Sequence, residues 1–163
     1  MRILGIDPGL NTTGYGVLDF TSRTPRLIEA GVVRGKPNAE LADRVKEIHA
    51  GVADVIATLK PEVMAIEELY SHYDRPTTAI LMGHARGVIL LAAAKRDIPV
   101  TNLPSTAVKK SLTGNGHASK LQIQRAVQSV CHLKTMPEPP DVADAIAIAW
   151  TLASHLARGR NVP

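Results

Sequence analysis

The sequence carries a single cysteine, Cys131, in 163 residues. One thiol excludes a disulfide framework and any cysteine-only metal site. A lone thiol fits a reducing compartment, so a cytoplasmic location is expected. Aromatics are nearly as scarce, at 3% of the chain: Phe20, Trp150, Tyr15, Tyr70 and Tyr73. That excludes a protein that lays many bases of a single strand along aromatic platforms. No uninterrupted apolar run approaches the roughly 18 residues of a membrane span. Gly87–Ala94 and Ala145–Ala153 are the longest such stretches, and no membrane partner is expected. The chain reaches Asp7 before the core of a signal peptide can form. It has no G-x-x-x-x-G-K-[ST] loop, and its six histidines make no H-E-x-x-H or H-x-H spacing.

What is present suffices for a core. Hydrophobic residues make up 45% of the chain, and a chain of this size buries about two thirds of its unfolded surface. No internal repeat or long linker divides it. One domain over residues 1–157 is expected, with 158–163 as a short, flexible tail.

Acids are missing from one region. Between Arg75 and Lys134 there are nine basic residues and one acid, Asp97, a net charge of +8. The rest of the chain is therefore −4, and the overall charge is only +4. A bias of this kind is often a solvated surface. Sixty residues with one acid also have the charge layout of a surface that meets phosphate.

The pattern of elements reads β-β-β-α-β-α-β-α-α-α. Arg2–Ile6 is a strand that stops at the turn Asp7-Pro8-Gly9. Gly14–Phe20 and Arg26–Val33 follow closely enough to form an antiparallel meander. Ala39–Lys60 is amphipathic through Leu41, Val45, Ile48, Val52, Val55, Ile56 and Leu59, and Pro61 ends it. Glu62–Glu67 is a buried strand, Arg75–Arg96 a long helix and Pro99–Leu103 a strand. Ser105–Leu112 is a short helix with Ser105 as its N-cap. A loop, Thr113–His117, leads to a helix over Ala118–Leu133. The connector Pro137-Glu138-Pro139-Pro140 leads to a last helix, Asp141–Ala157. The expected fold is α/β: a five-stranded mixed sheet with helices on both faces, the ends of strands one and four side by side.

Four acids sit where stability alone would not place them. Asp7 and Glu67 end buried strands. Asp141 and Asp144 share one face at the start of the last helix. Each has an ordinary explanation: an Asx turn for Asp7, a solvated strand end for Glu67, a favourable helix dipole for Asp141. Asp144 has the poorest, because Val142-Ala143 and Ala145–Trp150 surround it. Brought together, the four would repel one another without a cation. Hard divalent ions such as Mg²⁺ take carboxylate oxygens and keep several waters. Two such ions serve phosphodiester hydrolysis, and the +8 segment would hold the phosphates.

At these residues the chain resembles the RuvC family, bacterial Holliday-junction endonucleases of the ribonuclease-H-like superfamily. The matching pieces are Gly5-Ile6-Asp7-Pro8-Gly9, Thr13-Gly14-Tyr15-Gly16-Val17, Ala65-Ile66-Glu67-Glu68, Gly83-His84-Ala85-Arg86-Gly87-Val88, Val108-Lys109-Lys110 and Ala143–Ala149. Their order and spacing carry the likeness, from Met1 to about Leu156. The resemblance implies a ribonuclease-H-like nuclease domain that resolves four-way (Holliday) DNA junctions in recombination and repair by paired, symmetric, metal-dependent hydrolysis. It implies Asp7, Glu67, Asp141 and Asp144 as metal ligands, two Mg²⁺ per active site with Mn²⁺ as a substitute, and Lys109 and Lys120 as the basic pair beside them. It also implies a homodimer and cooperation with the RuvA–RuvB branch-migration machinery. The aromatic inserted at the junction core falls on Tyr70, where Phe is more usual, and Glu68 replaces an amide found in some relatives. From spacing alone Tyr70 is an ordinary loop aromatic.

Arg75, Arg86, Lys110 and Arg125 are expected to contact phosphates, with Lys109, Lys120 and His117. His49, Met82 and Trp150 are expected to pack. Two other readings remain open on the residues. One is a ribonuclease-H-like nuclease acting on another structured nucleic acid. The other is a junction-binding module without catalysis, which explains the basic segment but not the acids. Length weighs heavily against a nucleotide-binding fragment of the actin and sugar-kinase type, because 163 residues lack room for the second such domain.

Overall fold

The computed structural model describes residues 1–21, 24–69 and 76–159. Its strands are β1 (Arg2–Asp7), β2 (Thr12–Asp19), β3 (Arg26–Arg34), β4 (Val63–Glu67) and β5 (Val100–Leu103). Its helices are α1 (Leu41–Leu59), α2 (Pro76–Ala94), α3 (Ser105–Thr113), α4 (Lys120–Val130) and α5 (Pro140–Ala157). The strands form one sheet in the order β3-β2-β1-β4-β5. β1, β2 and β3 are antiparallel neighbours, whereas β1, β4 and β5 run parallel. The expected mixed sheet, with strands one and four adjacent, is what forms.

Side-chain alternation divides the core in two. On one face Leu4 and Ile6 of β1 and Met64 and Ile66 of β4 pack with Ile48, Val52 and Ile56 of α1 and Ile89 of α2. On the other, Ile3 of β1 and Ala65 of β4 pack with Val108 of α3, Ile123 and Val127 of α4, and the Ile146–Ala149 run of α5. Asp7 continues the Ile3-Gly5 row and Glu67 continues the Val63-Ala65 row. Both carboxylates therefore belong to the face that carries α3, α4 and α5.

Three local expectations need correction. Ser105 is not a cap: Pro104 occupies the N-cap of α3 with extended backbone, and Ser105 is the first helical residue. α4 starts later than Ala118, because Ser119 caps it and makes a capping box with Gln122. It ends at Cys131, whose half-buried thiol is pushed up to about 11 by burial. Third, α2 is long and apolar enough to cross a membrane by length and composition alone. A search for unbroken apolar runs misses it because Thr77, Thr78, His84 and Arg86 interrupt the pattern. In the fold α2 packs against α1, and Arg86 ties it to the sheet.

Candidate active site

Register sets the first pair of acids. Ile6 of β1 lies opposite Ile66 of β4, so Asp7 and Glu67 end neighbouring parallel strands, about 4.8 Å apart in the pairing direction. The second pair arrives on α5. Pro140 is its first residue and Asp141 lies in its first turn, with Asp144 one turn on.

Bare backbone lets α5 approach. Gly14 of β2 pairs with Asp7, and a Cβ built on it would lie 2.1 Å from the carbonyl oxygen of Asp141. A Cβ on Gly5 would lie 2.2 Å from the carbonyl oxygen of Ala145. Helix and sheet thus meet main chain to main chain, and the start of α5 is drawn in beside Asp7.

Electrostatics shows the convergence. The Asp7 carboxyl is pushed up to about 8, first by burial and then by Glu67, Asp144 and Asp141, with Lys120 opposing. Glu67 is raised by burial and by Asp144, and lowered by a hydrogen bond with the Ser105 side chain and by Lys109 and Lys120. Asp144 is raised by burial and Asp141, against Lys120 and Lys109. Asp7 thus feels the other three acids and Lys120, while Lys109 and Lys120 both act on Glu67 and Asp144. The Lys120 ammonium stands 3.9 Å from Asp144 Oδ2. Lys120 is exposed and Lys109 half-buried.

The donor set is oxygen-only and repulsive, which fits a hard cation. Among the described residues no three His, Cys, Asp or Glu side chains are gathered closely enough to hold an ion as they stand. An ion that keeps several of its waters and uses one or two carboxylates directly is consistent with that spread.

Two residues support the site from behind. Ser105, assigned as a cap from the sequence, bonds Glu67 instead. Arg86 is engaged inside the fold: its Nε donates to the carbonyl oxygen of Glu67 at 3.2 Å, and its Nη2 donates to Asn102 Oδ1 of β5. It fixes the end of β4 rather than standing free toward solvent. Neither contact has a pattern in the sequence, since each joins residues far apart in the chain.

The remaining expected residues divide. His117 lines a cleft of about 580 Å³ together with Glu67, Leu69, Met82, Ser105 and Thr106. The loop that carries it is organised by Asn115 Oδ1, which accepts from the His117 N–H at 2.9 Å. Met82 therefore faces this cleft, half-buried, rather than filling the core. Trp150 is half-buried against the α5 side of the core. Lys110 and Arg125 are exposed on α3 and α4. Tyr70 and Arg75 lie outside the described residues, as do 160–163 of the expected tail. Lys95 and Arg96 follow the far end of α2 and border a small cavity with His49. They add to the +8 count but not to this edge of the sheet.

Residues 3–152 match the family described as crossover junction endodeoxyribonuclease RuvC. The chain belongs to the RuvC family. A RuvC of Rhodopirellula baltica is 55% identical over 147 residues, covering 90% of this chain and 83% of the relative. The structure of Thermus thermophilus RuvC superposes with a TM-score of 0.88 at 36% identity, covering 100% of this chain and 99% of that one. The same RuvC in complex with a Holliday junction substrate superposes with a TM-score of 0.89 at 36% identity, covering 98% of this chain and 96% of that one. A RuvC nuclease fold and the edge of the sheet just described thus coincide in one chain, and membership makes it an endodeoxyribonuclease of crossover junctions.

Proposed function

We propose that residues 1–157 form one nuclease domain that resolves Holliday junctions at the edge of the sheet where β1 and β4 end. The observation that carries this reading is the convergence on buried Asp7 of Glu67, Asp141, Asp144 and Lys120, in a chain of the RuvC family. Asp7, Glu67, Asp141 and Asp144 are the residues to hold divalent ions, with Mg²⁺ the expected metal, two per site, and Mn²⁺ a substitute. When bound, such ions supply an activated water and a Lewis acid at the scissile phosphate.

The chain's own residues do the rest. Asp7 must give up its proton before it can serve as a ligand, so loading is linked to proton release. Ser105 and Arg86 hold Glu67 in place. Lys120 and Lys109 meet the charge that builds on the phosphate in the transition state. Lys120→Ala is expected to slow cleavage by about 100-fold and to weaken junction binding only a few-fold. A loss confined to affinity, measured by titration beside single-turnover cleavage, would assign Lys120 to positioning alone. Tyr70 is the candidate wedge at the junction core. Arg75, Lys110, His117 and Arg125 are candidate phosphate contacts.

A homodimer would give two sites for paired cuts, matching a two-fold junction. α2 offers it a face: Ile80 is 62% and Leu91 51% exposed, and eleven residues of separation bring them back to the same side of the helix. Ile80→Glu with Leu91→Glu is expected to halve the mass seen by light scattering while leaving the far-UV circular dichroism spectrum unchanged, and to make the melting temperature independent of protein concentration. The enzyme would act in the cytoplasm, with the RuvA–RuvB machinery supplying the junctions.

The decisive experiment uses a synthetic four-way junction and a linear duplex of the same sequence, each with Mg²⁺ and with chelator. Paired, symmetric nicks in the junction alone, and only with metal, are expected. Equal cutting of the duplex would overturn the assignment.

A further inference from the structure

Beyond β1, on the side away from Lys109 and Lys120, lies a second cationic feature. β3 is antiparallel to β2, which is antiparallel to β1. β3 and β1 therefore run the same way and finish at the same edge of the sheet. Asp7 pairs with Gly14, Gly14 with Val32, and Thr12 with Arg34. Arg34 thus stands at the carboxylate edge, two strands or about 10 Å across from Asp7 and two residues further along.

There Arg34 joins Arg44 of α1 around a pocket of about 480 Å³. Asn11, Thr12, Gly35 and Asn38 contribute to the wall, and among the described residues no carboxylate lines it. The Arg44 guanidinium is aimed by the Asn11 side chain, whose Oδ1 accepts from Nη2. Asn11 is itself tied down by its carbonyl oxygen, which accepts from the Gly35 N–H at 3.2 Å. Arg44 Nε is buried and has no hydrogen-bond partner among the described residues. Neither arginine is ion-paired among those residues.

For stability alone this is a poor place for Arg44. It is the fourth residue of α1, in the first turn, where the helix dipole disfavours a cation. Glu40, at the N-cap, makes no side-chain capping bond, and the nearby Glu47 is paired with Lys36 at 3.0 Å. An orphaned buried donor weakens the fold, because its lost hydration is not replaced. A bound anion would face the positive end of α1 and neutralise both guanidinium groups, which match phosphate geometry in a forked way.

We propose that the pocket of Asn11, Arg34 and Arg44 binds a phosphodiester of the DNA strand as it leaves the cutting site toward β3. The inference rests on the nuclease reading above and extends it. The basic residues of α3 and α4 hold the strand on one side of the carboxylates, and this pocket holds it on the other.

The test measures junction affinity without metal, as a function of salt, for the wild type, Arg34→Gln and Arg44→Gln. Each variant is expected to bind about tenfold more weakly at moderate salt, with the log–log salt slope shallower by about one. Arg34 is exposed, so Arg34→Gln should keep the wild-type melting temperature and remain informative if Arg44→Gln is unstable. Junctions carrying one neutral methylphosphonate at successive positions then locate the contact. One position should weaken the wild type and leave Arg34→Gln unchanged. Wild-type binding and cutting with an unaltered slope in Arg34→Gln, or no coupled position, would overturn the pocket while leaving the nuclease reading intact. Saturable binding of inorganic phosphate at Arg34 and Arg44 with no effect on DNA would also overturn it. A wild type that neither binds nor cuts junctions would remove the underlying reading, and this inference with it.

Discussion

Asp7→Asn is expected to lower single-turnover cleavage of a four-way junction by about a thousandfold or more, which is about 4 kcal/mol of transition-state stabilisation. Junction affinity should remain near that of the wild type. Asn keeps the shape but removes the charge that draws in a cation. Cleavage at the wild-type rate would refute the metal site. The same variant carries a second expectation in the metal-free protein. The Asp7 carboxyl is raised from 3.8 to about 8, so the folded state holds its proton more tightly than the unfolded state. Its contribution to stability is full below about pH 4, declines as pH rises, and is gone once pH passes about 8. Asn has no such dependence. The melting temperature of Asp7→Asn should therefore draw ahead of the wild type between about pH 4 and 8 and keep a constant lead above that. Added Mg²⁺ should close the gap, because it stabilises only the form that binds it. A gap that did not change with pH would contradict the buried, proton-holding Asp7.

Gly14→Ala should be nearly as damaging, although Gly14 has no chemistry of its own. The added methyl would sit 2.1 Å from the Asp141 carbonyl oxygen. That oxygen belongs to the backbone, so no rotamer change relieves the clash. Either α5 lifts from the sheet or β2 bends away. The expected cost is about 2–4 kcal/mol of stability, at the upper end of overpacking. Cleavage should fall by about 100-fold even at temperatures where the variant is folded, because a shift of about 1 Å in reacting groups has that effect. The check is cleavage rate and thermal melting measured together. Loss of rate in proportion to the unfolded fraction alone would show that Gly14 serves stability and not geometry.

The sheet was legible because each strand announced itself locally. Alternating or continuous apolar runs ended at Asp7-Pro8-Gly9 or opened just after Pro61, and short connections left one plausible meander. The four acids were legible for a related reason. A carboxylate that closes a run such as Leu4-Gly5-Ile6 conflicts with burial, and such conflicts tend to fall at functional sites. What joins those acids was not legible. Gly14 against Asp141, Arg86 on the Glu67 carbonyl and Ser105 on the Glu67 side chain all link residues far apart in the chain, and no local pattern encodes them. Ser105 shows how a correct local rule fails: Ser before a helix suggests a cap, but Pro104 takes that place and frees the hydroxyl. Charge summed along the chain failed in the same manner. Lys95 and Arg96 count toward +8 yet sit at the opposite end of α2 from the carboxylates. Arg34 and Arg44 lie in the segment that sums negative and yet reach the working edge.

The one thiol noted at the outset has a practical consequence. At neutral pH the half-buried Cys131, pushed up to about 11, is thiolate only about one part in ten thousand. It is correspondingly slow toward maleimides and peroxide. A cysteine introduced on the exposed side of α3 or α4 can therefore carry a fluorophore with the native residue left in place, and the arrival of a junction can be followed by light on an otherwise unaltered chain.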